Sequence, residues 1–272
     1  MLVDAHALIH KGFHAIPYLS TSRGEPTNGV FGFASILLTA IKDLEPECLA
    51  VAFDLPKPTF RHQEFKEYKI HRKPIPSELA LQIPKVRELV GALNIPVYEK
   101  EGYEADDLIG TLAKKLEKEQ PDLEVVIVTG DRDMLQLVSE SVKVYYAGGQ
   151  GLKKTELVGP QEVKSKYGFL SKSFVDYKAL MGDPSDNIPG VAGIGEKTAA
   201  KLIKKFDSLD KLYQTIEGLD FKKSPRADLG IRPRVLEMLR EQKEQAYLSK
   251  KLAAIVTDLD VKVDLEACRI KN

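Results

Sequence analysis

Residues 124–133 read Glu-Val-Val-Ile-Val-Thr-Gly-Asp-Arg-Asp, and this stretch decides the fold. Its apolar run, Glu124 to Thr129, predicts a β-strand. Gly130 permits a sharp turn directly after the strand, since glycine adopts backbone angles closed to other residues. Asp131 and Asp133 follow at once, so the stretch predicts a strand that delivers two carboxylates into the crevice beyond its carboxyl end.

Four further apolar runs are predicted as strands: Met1 to Asp4, Cys48 to Asp54, Pro96 to Glu99 and Val142 to Tyr146. Helical patterns lie between them. One is indicated by apolar residues between Phe33 and Leu44, a second runs from Ser77 as N-cap to Leu93 with a kink near Pro84, and a third runs from about Glu104 to Gln120. This alternation predicts an α/β fold, a mostly parallel sheet covered by helices.

The sequence pattern changes after Tyr146, where the alternation of predicted strands and helices ends. Three glycines make a turn, and residues 159–251 show helical patterns joined by short loops. We therefore expect an α/β domain over 1–158 and a second, helical domain over 159–272. The polar, basic stretch from Gly218 to Pro233 is the expected flexible loop.

Composition bounds the function classes. The chain of 272 residues is 43% hydrophobic and 29% charged, typical of a globular protein. It has no bilayer-length apolar run and no secretory signal, so a cytoplasmic location is expected. Cys48 and Cys268 stand outside any CxxC pattern, which argues against a disulfide framework or a structural zinc site.

The charge distribution is compatible with a polyanionic partner although the net charge is zero. Residues 57–73 carry six basic and two acidic side chains, and residues 222–234 carry five basic and one acidic. Either run alone is typical of a solvated surface.

Nine carboxylates fall where the predicted strands and helices would gather them: Asp4, Asp54, Glu104, Asp106, Asp107, Asp131, Asp133, Asp183 and Asp186. Any one of them is more simply explained as a helix cap or a strand end. Together they would repel one another unless cations or protons neutralise them. Oxygen ligands suit Mg²⁺ or Mn²⁺, and two such ions would serve phosphodiester hydrolysis.

Several stretches resemble one family in order and in sequence. They are residues 21–26 (Thr-Ser-Arg-Gly-Glu-Pro), 60–62 (Phe-Arg-His), 68–69 (Tyr-Lys), 102–107 (Gly-Tyr-Glu-Ala-Asp-Asp), 182–187 (Gly-Asp-Pro-Ser-Asp-Asn) and 190–198 (Gly-Val-Ala-Gly-Ile-Gly-Glu-Lys-Thr). The chain resembles the 5′ nuclease domains of bacterial DNA polymerase I and, more distantly, phage 5′ exonucleases and flap endonucleases. The resemblance covers nearly the whole chain.

The resemblance implies a PIN-like or resolvase-like nuclease core and a structure-specific 5′-3′ exonuclease or 5′-flap endonuclease of DNA replication and repair. It assigns Asp4, Asp54, Glu104, Asp106, Asp107 and Asp131 to one metal cluster, and Asp133, Asp183 and Asp186 to a second. Its substrates would be DNA with a 5′ flap, nick or 5′ end, RNA-primed ends included. A DNA polymerase would act with it, fused or separate, and the chain itself would be a monomer.

The basic residues acquire roles from the same resemblance. Residues 57–76 would form a helical arch over the active site, in which Lys69 would assist catalysis. Arg72 is the second catalytic candidate, because its guanidinium can grip a phosphate with two parallel donors. We expect Tyr68 to stack on an unpaired base and Lys11, Arg61 and Lys66 to contact DNA. Lys11 stands where many relatives carry arginine, so its phosphate contact would be weaker. Without the resemblance, packing of Tyr68 and solvation of Lys69 and Arg72 would be preferred.

The glycine-rich turn 190–195 has the spacing GxxGxG and follows no predicted strand, which argues against a dinucleotide site. It resembles a helix-hairpin that holds duplex DNA by its backbone. Gly193, Gly195, Lys197 and Lys201 would bind phosphates there. Carbonyls of Val191 and Ile194 would hold a monovalent cation, commonly K⁺.

Alternatives from other classes stay open. A non-catalytic DNA-junction binder would keep the fold, although the intact acid set argues against it. A phosphotransferase of the haloacid dehalogenase type needs a DxDxT motif, which Asp4-Ala5-His6 lacks. His6, His10 and His14 recur at helical spacing, but no further ligand completes a zinc set, so packing or DNA contact is the preferred interpretation.

Overall fold

The described residues of the chain contain one six-stranded sheet. The computed structural model describes residues 1–149, 151–152, 154–218 and 230–270. The spatial order of the strands is β3-β2-β1-β4-β5-β6, and all pairs are parallel except β5 with β6. The strands are β1 (Leu2–Asp4), β2 (Ala50–Ala52), β3 (Val97–Tyr98), β4 (Val125–Thr129), β5 (Val142–Tyr146) and β6 (Glu156–Val158).

Helices connect and cover these strands. They are α1 (Ala5–Ala15), α2 (Asn28–Leu44), α3 (Phe60–Glu64), α4 (Ser77–Ala80), α5 (Gln82–Ala92), α6 (Ala105–Glu119), α7 (Pro160–Tyr167), α8 (Phe174–Met181), α9 (Glu196–Phe206), α10 (Leu209–Glu217), α11 (Pro233–Glu241), α12 (Lys243–Ala253) and α13 (Leu265–Cys268). Within the described ranges, short 3₁₀ helices span Asp133–Leu137 and Ser171–Ser173.

The chain order of the strands reverses at β1. The strands β2 and β3 lie on one side of β1, and β4 and β5 lie on the other. Ligands of open α/β sheets bind in the crevice at such a switch point, outside the carboxyl ends of the strands. The carboxyl ends of β1 and β4 are therefore where the sheet topology places a site.

The sheet is buried because helices pack on both of its faces. One apolar cluster joins Val3, Val51 and Val128 of the strands to α1, α2 and α5. On this side α1 and α2 cross so closely that a Cβ added to Gly32 would lie 2.2 Å from the Gly12 Cα. The helix α6 contacts β1, β2 and β4. The predicted α/β fold class, a mostly parallel sheet covered by helices, is confirmed.

The chain divides into two compact units. One, the α/β unit, comprises residues 1–60, 73–160 and 255–272, and the other, the helical unit, comprises 61–72 and 161–254. These units differ from the linear division at residue 158. Residues 61–72, most of the expected arch, belong to the helical unit. Residues 255–272, the last segment, belong to the α/β unit. The division into 1–158 and 159–272 as domains stays a prediction.

Local details differ from the sequence-based expectations. The strand β6, Glu156–Val158, is absent from the sequence-based expectations. Ser77 opens α4 as its first residue, with Pro76 as N-cap. The expected single helix is interrupted at Leu81, between α4 and α5. Pro84 lies in the first turn of α5, where proline is tolerated. Most of the expected flexible loop, residues 219–229, lies outside the described residues.

None of the helices in the described part of the chain combines the length and apolarity that crossing a bilayer requires.

Candidate functional site

Five of the predicted acids lie at the carboxyl edge of the sheet in the α/β unit. Asp4 is the last residue of β1. Asp54 lies two residues after the end of β2, and Asp131 lies two residues after the end of β4, beyond Gly130. Glu104 is the N-cap of α6, and Asp106 lies in its first turn. Since β1, β2 and β4 are neighbours in a parallel sheet, their carboxyl ends meet on one side. The structure thus brings these acids together.

Thr129 connects two of the acids, and the sequence reasoning missed it. This buried residue ends β4, next to β1 in the sheet. Its hydroxyl donates to Asp4 Oδ2 at 2.7 Å and accepts the Asp131 N–H at 3.0 Å. The other oxygen of Asp4 accepts the Ala7 N–H at 3.0 Å as the N-cap of α1. A hydroxyl residue between a valine run and Gly-Asp was the available signal.

Asp54 is oriented from two elements. Its Oδ1 accepts the Ala105 N–H at the start of α6 at 2.7 Å. Its backbone N–H donates to His6 Nδ1 on α1 at 3.1 Å. Burial lowers the pKa of His6, and the Asp54 charge only partly opposes this effect. His6 therefore packs within the site, whereas the rings of His10 and His14 contact each other 6.3 Å apart.

The acids repel one another electrostatically. Burial raises the pKa of Asp4 to about 7; the charges of Asp54 and Asp131 add to the rise, and its hydrogen bonds oppose it. Burial also raises the pKa of Asp106 well above its usual value, and neighbouring carboxylates reinforce the increase: Asp4, Asp131, Asp54 and Glu104. Groups of like charge shift each other's pKa in this way when they share a site. The structure therefore gathers negative charge that a cation would neutralise.

The donor set fits a hard divalent cation. In this conformation no three His, Cys, Asp or Glu side chains among the described residues are arranged to hold one metal ion. Mg²⁺ needs no such cage, because it keeps several waters and takes one or two carboxylates directly. An all-oxygen cluster whose members raise each other's pKa suits such an ion. Asp4, Asp54, Glu104, Asp106 and Asp131 are the residues that would hold it.

Asp107 is placed differently from its predicted role. Its side chain is fully buried, with Oδ2 accepting the Glu104 N–H at 3.1 Å and Oδ1 accepting the Val256 N–H at 2.9 Å. Both carboxylate oxygens thus bind backbone donors. In the described conformation Asp107 is a structural acceptor, because a metal ion would have to compete with two buried N–H groups.

The predicted second cluster falls in both units. Asp133 is half-buried in the α/β unit, and its N–H donates to Asp131 Oδ1 at 2.8 Å. Asp183 and Asp186 belong to the helical unit. Burial alone would raise the pKa of Asp183, but the Lys178 ammonium at 2.5 Å and hydrogen bonds from Ser185 lower it. This cluster stays a prediction.

Asp186 is a centre of basic contacts in the helical unit. Its side chain accepts from Arg72 Nη2 at 2.5 Å, and Lys69 Nζ lies 3.7 Å away. The Lys69 N–H also donates to the Asp186 carbonyl at 2.9 Å. Residues 66–71 form turns, with Lys69 at φ +57°, where the resemblance implies a helical arch. Lys69 and Arg72, the two residues predicted to assist catalysis, nevertheless lie together around Asp186, a predicted metal ligand.

Two predicted DNA contacts are corrected by burial. Tyr68 is 3% exposed, donates to Asp186 Oδ2 and packs edge-on against His62, so no open face remains for a base. Arg61 is also 3% exposed, and its guanidinium donates to the carbonyls of Leu252 and Ala254. Both side chains serve the packing of the helical unit.

The other predicted DNA-binding lysines reach the surface to different extents. Lys66 is exposed. Lys11 is half-buried and donates to the Gly149 carbonyl. Their contacts with DNA stay predictions.

The glycine turn between α8 and α9 has the predicted form. Gly193 has φ +89°, Gly195 is the N-cap of α9, and no atom would crowd a Cβ at Gly195. Lys197 and Lys201, one turn apart on α9, are both exposed. Val191 and Ile194 are buried, and the Val191 carbonyl accepts the Ile194 N–H at 2.9 Å. A cation at these two carbonyls stays a prediction.

Comparison with known proteins agrees with this arrangement. The family model of the 5′-3′ exonuclease N-terminal resolvase-like domain matches residues 1–168, and that of the 5′-3′ exonuclease C-terminal SAM fold matches residues 170–272. DNA polymerase I of Bacillus subtilis (strain 168) is 46% identical over 265 residues, 97% of this chain but 28% of that protein. The chain thus spans less than a third of that relative.

Solved structures share the fold. The zinc-bound 5′-exonuclease of phage T5 superposes with a TM-score of 0.69 at 22% identity, covering 94% of this chain and 89% of that one. A T5 flap endonuclease variant, in a complex with DNA and metal ions, gives a TM-score of 0.71 at 21% identity, covering 94% and 88%. Two family models that together span nearly every residue, and a close relative over almost the full length, agree with each other. The chain belongs to the 5′-3′ exonuclease family.

Proposed function

We propose that this chain hydrolyses DNA phosphodiester bonds as a divalent-metal-dependent 5′-3′ exonuclease and 5′-flap endonuclease in replication and repair. The observation that carries the proposal is the group of carboxylates at the switch point of the sheet, where the pKa of Asp4 is raised to about 7. Such a group tolerates full ionisation only with cations bound. Its substrates are DNA with a 5′ flap, a nick or a 5′ end, including RNA-primed ends.

Each set of residues has a part in this proposal. Mg²⁺ or Mn²⁺, as two or more ions at the acids, would supply a lowered water pKa and charge neutralisation at the phosphate. Thr129 and His6 hold the acids in place, since both hydrogen-bond to them or to their backbone. Lys69 and Arg72 supply positive charge for the phosphate.

The helical unit supports duplex binding. The open N-terminus of α9 and the exposed Lys197 and Lys201 suit the phosphate backbone, which carries no sequence information. We include a K⁺ at the carbonyls of Val191 and Ile194 in the proposal. The chain acts as a cytoplasmic monomer beside a DNA polymerase, fused or separate.

A 5′-labelled flap duplex tests the activity directly. With Mg²⁺ the unmutated protein should cut near the junction, and EDTA should abolish cutting. Asp131→Ala should lose cleavage while still binding the duplex. Asp122→Ala, a change at an exposed acid outside the cluster, should cut the flap as the unmutated protein does. Tight binding without cleavage by the unmutated protein would instead support a non-catalytic junction binder.

A further inference from the structure

Residues 255–261, which we call the strap, run along α6 without forming a helix or a strand. Side chains of α6 form hydrogen bonds with the backbone of the strap. Thr111 Oγ1 lies 3.3 Å from the Val256 carbonyl and accepts the Leu259 N–H at 3.4 Å. Lys115 Nζ donates to the Val261 carbonyl at 3.1 Å. Side chains of α6 therefore supply several of the hydrogen bonds of the strap's backbone, which in a strand would come from a neighbouring strand.

The residues of α6 that contact the strap lie on one face of the helix. Asp107, Thr111 and Lys115 recur every four residues, so they lie above one another along the helix. Gly110 lies beside them, and a Cβ there would come within 2.5 Å of Ile255 Cγ2. The missing side chain is what allows the strap to touch the helix.

Asp107 joins the strap to the acidic cluster. One of its oxygens binds the Val256 N–H of the strap, and the other binds the Glu104 N–H at the N-cap of α6. The first turn of a helix is its least secured part, because its N–H groups have no partners within the helix. Here that turn carries Glu104 and Asp106, both at the cluster.

Repulsion makes this anchoring consequential. Glu104 and Asp106 share this edge of the sheet with Asp4, Asp54 and Asp131, and like charges gathered there repel one another, which tends to displace the turn from the sheet. A buried carboxylate held by donors on both sides resists that displacement. The strap and the sheet, through Asp54 and the Ala105 N–H, secure the turn from two directions.

We propose that the strap is a positioning element of the metal centre, with Asp107 and Thr111 as positioning residues that hold Glu104 and Asp106 ready for divalent cations. This inference rests on the proposed function for its metal. It assigns Asp107 a role in which the residue acts through others instead of binding the ion.

Thr111→Val tests the inference, because it keeps the shape of the side chain and removes both hydroxyl contacts with the strap. Mn²⁺ binding is measured by titration calorimetry on the full chain without DNA. Loss of a group that orients metal ligands weakens affinity by about 10- to 100-fold, and we expect the lower end. Saturating Mn²⁺ should then restore flap cleavage. Thr39→Val, at an exposed hydroxyl on α2, should bind Mn²⁺ as the unmutated protein does.

Two further variants keep the test decisive. Thr111→Ser retains the hydroxyl and should restore Mn²⁺ affinity, and equal losses in the Ser and Val variants would overturn the proposal. Lys115→Met loosens the far end of the strap and replaces Thr111→Val should that variant not fold. Unchanged Mn²⁺ affinity in a folded strap variant overturns the inference. An unmutated protein that binds Mn²⁺ but cuts no DNA would overturn the proposed function instead.

Discussion

Thr129 donates its hydroxyl proton to Asp4 across neighbouring strands, at 2.7 Å, with both side chains buried. The same oxygen accepts the Asp131 N–H, so one hydroxyl fixes an acid at the end of β1 and the start of the loop after β4. The two acids come from positions more than 120 residues apart in the sequence. Their relative placement depends on Thr129, which is not one of the predicted metal ligands.

Thr129→Val should weaken the site without removing an acid. The change leaves the Asp131 N–H without its acceptor, and such a loss in a buried setting costs about 1–3 kcal/mol. We expect a lower urea midpoint and a higher Mg²⁺ requirement for flap cleavage. Thr39→Val is the matched control. Equal Mg²⁺ requirements for Thr129→Val and the unmutated protein would contradict the role of Thr129.

The contribution of Asp4 to the stability of the metal-free protein should fall as the pH rises from about 4 to about 7. Asp4 has its pKa raised to about 7 by burial and nearby charges, whereas the unfolded chain releases this proton near its ordinary value. Between these values the folded state holds more protons, so raising the pH favours unfolding, by about 1.4 kcal/mol for each pH unit. Urea unfolding in EDTA measures the slope.

Asp4→Asn serves as the control for that slope. An amide cannot ionise, so the variant should lose stability less steeply with pH and should exceed the unmutated protein near pH 8 in EDTA. Added Mg²⁺ should reverse this order, because only the unmutated protein gains a ligand. Parallel pH profiles for the two proteins would exclude Asp4 as the titrating group.

Lys69→Gly should separate catalysis from folding. The ammonium is lost, but glycine accepts the left-handed φ of +57° more readily than lysine, by about 1–2 kcal/mol. That gain offsets part of the packing lost over the Tyr68 ring. We expect single-turnover cleavage to fall by about 10²-fold or more, as for other donors to a developing charge. Cleavage at the rate of a Lys42→Ala control would rule out a catalytic Lys69.

Gly32→Ala should destabilise the α/β unit. The new Cβ would meet the Gly12 backbone at 2.2 Å, and no side chain there can move aside. We expect a cost of about 1–3 kcal/mol or more from overpacking. Gly91→Ala on α5 has no atom within 4 Å of its Cβ and should stabilise by about 0.5–1 kcal/mol. Thermal unfolding of the pair checks both signs.

The double change Lys197→Gln and Lys201→Gln should alter the salt dependence of DNA binding. Each phosphate contact contributes about 0.9 to the slope of log K against log salt. Removing two should reduce that slope by about 1.8 and weaken binding to all sequences alike. Lys211→Gln, at a lysine paired with Asp207, is the control. An unchanged slope would place the duplex elsewhere.

The sequence by itself determined the fold class, five of the six described strands and the acidic residues at the ends of those strands. Those features depend on local patterns: apolar runs, helical spacing and a glycine before two acids. The same patterns indicated Asp4, Asp54 and Asp131, because the carboxyl ends of parallel strands meet on one side of a sheet.

Only the tertiary structure decided what the individual side chains do. Tyr68 and Arg61 look like surface groups in a basic segment, yet both are buried, because helices distant in sequence cover them. Asp107 differs from Asp106 by one position along α6, and that rotation turns its carboxylate toward the strap. Burial and hydrogen-bond partners depend on contacts between remote segments, which no local pattern records.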